Sequence, residues 1–247
     1  MTAVPQSYLD RLHAEIAFPW PELPGRVFSA AEASLDAPIL QLHREKNSHR
    51  GVRELQSVRT LFAYQVDQSF LDELCELTQL HTLYMQSVTA ADLSGLARLS
   101  NLQRLVINGA SRTEDLGWAA GLSPSLRALA IENAKMVHSL APLAALTQLK
   151  PLAIEGSLHA SMKVASLSPL SSLPALEHLF LTALRVEDKQ LAPLASLTRL
   201  RVLEFADYYA AGEIDRLATA LPSTRCRWFD EDMKKHRWEY RNRTRRA

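Results

Sequence analysis

Glu132 and Glu155 are the two residues of this 247-residue chain best placed to do chemistry together, because they end two copies of one pattern, Ala128-Leu-Ala-Ile-Glu132 and Pro151-Leu-Ala-Ile-Glu155. If the copies stack as neighbouring strands, their Cα atoms lie about 5 Å apart. Carboxylates that close can share a proton for acid/base work, grip a Lys or Arg of a partner, or bend apart into water. The adjoining Ala130, Ala153 and Gly156 build no deep, dry pocket, which argues against catalysis. The other titratable groups do not converge. The eight histidines (His13, His43, His49, His81, His138, His159, His178, His236) include no HExxH and no pair spaced for one helical face, so they read as single surface or turn residues. Cys75 sits among Asp72, Glu73 and Glu76, whose charge disfavours a thiolate, and Cys226 reads as a core residue. Nucleotide-binding glycine loops (GxxxxGK[ST], GxGxxG) do not occur. The sequence therefore assigns no catalytic, cofactor-binding or metal-ligating residue, and the chain reads as non-enzymatic.

What positions Glu132 and Glu155 is a repeat. The chain holds 42 Leu against 11 Val and 6 Ile, far more Leu than an average domain and too few β-branched residues for an ordinary large sheet. Leu77-Thr-Gln-Leu80-His-Thr-Leu83-Tyr-Met85 returns as Leu99-Ser-Asn-Leu102-Gln-Arg-Leu105-Val-Ile107, and again at 122–131, 146–154, 173–181 and 197–205, with weaker copies at 37–42 and 58–63. The first apolar residues of the eight units, 37, 58, 80, 102, 126, 149, 176 and 200, are 21 to 27 residues apart. Each LxL pair predicts a short strand whose successive side chains alternate, with Leu83 and Met85 inward and Tyr84 and Gln86 outward. The LxxLxxL stretches, such as Leu71, Leu74 and Leu77, have the three-residue spacing of a 3₁₀ turn or short helix.

These units resemble the bacterial leucine-rich repeat proteins with repeats near 22 residues, internalin-like in phrasing. The phrase is clearest in Leu140-Ala-Pro-Leu143-Ala-Ala-Leu146-Thr-Gln-Leu149 and Leu191-Ala-Pro-Leu194-Ala-Ser-Leu197-Thr-Arg-Leu200, and the resemblance covers roughly residues 35–230. One feature departs: the Asn usual three places after the last strand Leu is replaced by Val66, Val88, Ala110, Ala134, Ser157, Leu184 and Tyr208. The resemblance implies an α/β leucine-rich repeat solenoid, a horseshoe with its parallel sheet concave and its short helices or 3₁₀ turns convex. Open ends of such a stack need caps. Residues 1–34 are expected to form an N-terminal helical cap starting at Ser7, 35–212 the eight rungs, and 213–247 a C-terminal cap. That last cap would comprise a helix over 213–221, a strand over 224–229 pointing Cys226 and Trp228 inward, and a basic helix over 230–246.

Reading the outward columns rung by rung gives the candidate interface. The middle position of each strand runs Gln41, Phe62, Tyr84, Val106, Ala130, Ala153, Phe180, Glu204; the position that ends the strand runs His43, Tyr64, Gln86, Asn108, Glu132, Glu155, Thr182, Ala206. Phe62, Tyr64 and Tyr84 predict exposed aromatic anchors, with the strongest contacts at Tyr64 and Tyr84. Gln86, Asn108, Glu132, Glu155, Phe180, Glu204 and Asp207 complete the partner-binding set, whose later rungs are acidic. The expected partner is another protein presenting an apolar patch beside a basic one, bound by a monomeric, bacterial, cytoplasmic module of scaffold, inhibitor or toxin-immunity type. Net charge is +1 but divided, with 21 Lys and Arg against 26 Asp and Glu in 1–232 and 7 against 1 in 233–247. Cations beside Trp238 and Tyr240 support an alternative, nucleic-acid or phosphate binding through the basic C-terminal helix. No apolar run is long enough to span a bilayer, and the N-terminus lacks a basic region followed by an apolar one, so the chain is expected to be soluble and unexported.

Overall fold

The computed structural model describes residues 24–157 and 160–233. The expected N-terminal cap helix and nearly all of the basic C-terminal helix lie outside these residues. Ten short strands follow in chain order: β1 (Ile39–His43), β2 (Thr60–Tyr64), β3 (Thr82–Gln86), β4 (Arg104–Asn108), β5 (Ala128–Glu132), β6 (Pro151–Glu155), β7 (Met162–Val164), β8 (His178–Leu181), β9 (Leu184–Val186) and β10 (Val202–Phe205). Eight of them, β1-β2-β3-β4-β5-β6-β8-β10, form one parallel sheet. The LxL pairs stay in register from rung to rung: Leu83 faces Leu105, Leu105 faces Leu129, Leu129 faces Leu152 and Leu152 faces Leu179. All twelve inward positions from Leu83 to Phe205 are at most 2% exposed, because a five-residue strand can bury one face only by stacking on its neighbours.

The convex side is made mainly of 3₁₀ turns (Ser94–Arg98, Gly117–Leu122, Ala141–Ala145, Ser168–Ser172, Ala192–Ser196). Pro142, Pro169 and Pro193 stand at the start of the last three, where φ near −65° is already correct and no N–H is needed. One rung closes instead with an α-helix, α1 (Gln68–Leu74), because Asp67 caps it by accepting the backbone N–H of Phe70 at 3.0 Å. Burial pushes the Asp67 carboxyl up, but the Phe70 N–H, the Ser69 hydroxyl and the Arg44 guanidinium outweigh it and hold the group below its ordinary 3.8. A folded-state pKa below the unfolded one contributes stability that is present above 3.8 and lost as pH falls through the lower folded value. Asp67→Ala is therefore expected to cost about 1 kcal/mol in urea unfolding at neutral pH, with the difference from wild type shrinking in acid.

Where the Asn ladder is missing, the chain turns by other means. Val66, Val88, Ala110, Ala134 and Leu184 point inward and are at most 1% exposed. The residue before each adopts a left-handed conformation, with φ of 60° at Gln65, 55° at Ser87, 78° at Gly109, 59° at Asn133 and 52° at Ala183. This geometry aims corner N–H groups at the next rung: Gln65 donates to the Gln86 carbonyl, Gly109 to Glu132 and Asn133 to Glu155, at 2.8–2.9 Å. Backbone groups thus satisfy one another where a side-chain amide would otherwise serve.

Within the long insertion after β6, β7 pairs in parallel with β9, with Lys163 opposite Arg185. One feature departs from the sequence expectation. The expected strand over 224–229 shrinks to a single bridge between Val202 and Arg225, after which Arg227–Phe229 turn as 3₁₀. The turn brings the Trp228 indole N–H to the Phe205 carbonyl at 2.7 Å, a bond that an extended strand would not make. Cys226 is buried there as expected, while Trp228 is half-buried against the core. The helix of the C-terminal cap, α2 (Ala211–Ala220), packs Ile214 and Leu217 onto the last rung. No described helix is long and apolar enough to cross a membrane.

Candidate functional site

The outward columns are placed by the same register that builds the core. Gln41, Phe62, Tyr84, Val106 and Ala130 lie side by side across β1 to β5, and His43, Tyr64, Gln86, Asn108, Glu132 and Glu155 across β1 to β6. The expectation that Phe62 and Tyr84 are exposed anchors does not hold, for they are 2–3% exposed, and Phe180 of the partner-binding set is buried to the same degree. They belong instead to a second apolar cluster, with Val106, Ala130, Ala153 and Val202, on the face of the sheet opposite the main core. Phe62 tilts against Tyr84 at 5.6 Å between ring centres, and Tyr84 meets the edge of Tyr64 at 5.9 Å. The Tyr84 phenol, which donates to the Gln86 side-chain Oε1 at 3.3 Å, is pushed well above its ordinary pKa by burial and by the nearby Tyr64 and Glu132.

Tyr64 is half-buried, and from it an aromatic run continues outward: Tyr64 stacks on His43 at 5.5 Å, and His43 faces Phe28 at 5.8 Å. The guanidinium of Arg26 lies 5.6 Å from the centre of the Tyr64 ring. Phe28 is 45% exposed, a large apolar ring at the open end of the run. Arg26 and Phe28 were not legible as site residues. Their position depends on Val27, which forms a one-residue parallel bridge to Leu42 beside the first strand, too short a pattern to detect by alternation.

The carboxylate pair is in register, Glu132 opposite Glu155, as the repeat implies. Their side chains serve different rungs: Glu132 accepts from the Asn108 amide at 2.8 Å, and Glu155 accepts from the Thr182 hydroxyl. Turning toward opposite neighbours keeps two like charges from sharing one point, a geometry unlike that of a proton-sharing dyad. Glu155 is 2% exposed while Glu132 is half-buried, so the two are unequal in access to solvent. Glu204 and Asp207, both half-buried, extend the acidic side of the face over the last rung.

Elsewhere the chemistry is sparse. Among the described residues no three of His, Cys, Asp and Glu converge as metal ligands. His49 is not a surface residue: it is 1% exposed, stacked on Phe70 at 5.3 Å and 3.1 Å from the Ser69 hydroxyl. Burial pushes the Cys75 thiol up to about 12 and the Cys226 thiol to about 11; around Cys75 the acidic neighbours matter less than burial, and Arg98 offsets part of it. Folded protein at pH 8 is accordingly expected to leave both thiols unmodified by Ellman's reagent, and denaturation to release both. Rapid reaction of one thiol in the folded state would show that its rung opens locally.

Similar folds are found among solved structures. Internalin C2 of Listeria monocytogenes is 25% identical, with a TM-score of 0.50 over 63% of this chain and 74% of that one. Another Listeria monocytogenes internalin, inlF, is 21% identical with a TM-score of 0.50, and the match covers 71% of this chain but 55% of that one. No protein-family model and no curated protein matches the sequence. Eight parallel rungs in strict register, convex 3₁₀ turns carrying the LxxL phrase and this likeness lead to one conclusion: the chain is a leucine-rich repeat solenoid protein with internalin-like repeats.

Proposed function

We propose that this solenoid is a non-enzymatic protein-binding module that uses its concave face. The observation that carries the reading is the aromatic run Tyr64–His43–Phe28, which reaches solvent at the first rungs of a rigid sheet whose later rungs bear Glu132, Glu204 and Asp207. Aromatic side chains bury large areas while losing few rotamers, and a parallel sheet holds them in place before a partner arrives. The acidic rungs favour a partner with a cationic patch and speed its approach. Scaffolding, inhibition of an enzyme or neutralisation of a toxin would all use such a face, and two buried free thiols suit a reducing compartment such as the cytoplasm.

Selection of a random displayed peptide library on the full chain tests the class of partner. Enriched peptides are expected to carry an aromatic residue next to Lys or Arg. Their affinity should fall by about 2 kcal/mol in Tyr64→Ala, which leaves the fold intact, and weaken with salt. Enrichment of acidic peptides, or binding indifferent to Tyr64→Ala and to Glu132→Gln, would overturn the reading.

A further inference from the structure

The later rungs of the concave face are acidic, but the chain just past their corners carries a row of cations. Lys163 in β7 stands opposite Arg185 in β9, so their Cα atoms lie about 5 Å apart, and both residues are exposed. Lys135, also exposed, extends the row onto an earlier rung. It lies two residues past left-handed Asn133, as Arg185 lies two past left-handed Ala183. The Ala165 N–H ties that rung to the end of β7 by donating to the His138 carbonyl at 3.0 Å. Beside Arg185 stands Tyr208, 40% exposed, with the guanidinium 5.1 Å from its ring centre.

Like charges directly opposite one another weaken a sheet. Here nothing in the fold offsets them: among the described residues the ion pairs use none of Lys135, Lys163 and Arg185. The carboxylates that adjoin them in sequence serve other groups, since Asp188 accepts the Gln190 N–H at 3.0 Å and Glu132 accepts from Asn108 on the concave face. A row that costs stability and stays open to solvent is suited to an anionic ligand.

We propose that this row is a binding site for single-stranded nucleic acid, with phosphates on Lys135, Lys163 and Arg185 and a base on Tyr208. A sugar–phosphate backbone is a polyanion of evenly spaced charges, and the rungs space these cations evenly along the stack. Two of the three are Lys, which protein interfaces deplete and phosphate contacts use freely. An exposed tyrosine with an Arg at its ring is the kind of platform on which bases stack, and stacking there needs a base free of its pairing partner, which selects a single strand. The left-handed corners at Asn133 and Ala183 set the row apart from the acidic column of the sheet. This site uses neither Tyr64 nor the concave face, so it is a second activity beside protein binding.

Fluorescence anisotropy of the full chain tests it, with fluorescein-labelled oligouridylate and oligodeoxythymidylate of about twelve nucleotides. Binding of either strand supports the proposal. Three phosphate contacts predict that log K falls with log salt at a slope of about −2, and Lys135→Gln or Lys163→Gln should each reduce that slope by about 0.7. Tyr208→Ala should weaken binding roughly tenfold and leave the slope unchanged. All these substitutions sit at exposed positions, and an unchanged urea midpoint confirms that the fold is kept. Absence of binding by both strands overturns the proposal. So does binding that survives Lys135→Gln, Lys163→Gln and Arg185→Gln together but is lost in Arg243→Gln, Arg245→Gln, Arg246→Gln, because other cations then hold the strand. Equal affinity for polyglutamate, or for a duplex of the same length, also overturns it. Tyr64→Ala should leave the anisotropy unchanged, so this site and the concave face can fail independently.

Discussion

Replacing Leu152 by Ala is expected to cost about 2–5 kcal/mol of stability. Leu152 is fully buried in β6, in register between Leu129 and Leu179, so the removed methyl groups leave a cavity that two flanking rungs cannot fill without shifting. In a one-dimensional stack each rung is stabilised chiefly by the rungs beside it, so damage at the middle of the sheet propagates in both directions. Urea unfolding followed by far-UV circular dichroism measures the loss, and Leu105→Ala in β4 should behave alike. A loss below about 0.5 kcal/mol at either position would mean that the inward register is wrong.

Gly156→Ala is the second large effect, and its cause is the opposite one. A Cβ at Gly156 would lie 2.5 Å from the carbonyl oxygens of both Ala160 and Ala183 and 2.9 Å from the Met162 nitrogen. All three are backbone atoms, so no side chain can swing away; the corner between β6 and β8 must open. Overpacking of this kind costs about 1–3 kcal/mol or more. Hydrogen exchange should show the loss of protection concentrated in the β7–β9 pair, which the insertion brings against this corner, whereas Leu152→Ala should loosen the neighbouring rungs of the main sheet. Gly212 in α2 is the control: nothing lies within 4 Å of its added Cβ, so Gly212→Ala should be neutral or slightly stabilising. Equal losses at Gly156 and Gly212 would refute the steric account.

Leu83, Met85, Leu105 and Ile107 were legible as core because alternation at period two and recurrence near 22 residues are local signals, repeated often enough to fix both the inward face and the rung count. The same periodicity placed Glu132 opposite Glu155, since register in a solenoid follows directly from repeat length. The convex 3₁₀ turns were legible for the same reason, since the three-residue spacing of the LxxLxxL stretches is also a local signal. Other features depended on contacts between distant segments. Periodicity shows that Phe62, Tyr84 and Phe180 leave the main core, but not that they are buried, because burial in a second cluster depends on how large and small side chains of several rungs pack together. Likewise Arg26 and Phe28 join the aromatic run only through the bridge from Val27 to Leu42, and β7 exists only because β9 offers it a partner. The solenoid, its inner face and the column of each outward residue were readable from the repeat, because they follow from local alternation summed over eight near-copies. Which outward residues reach solvent was settled by the folded arrangement, since exposure depends on side-chain packing between rungs, and a repeat that specifies columns does not specify that packing.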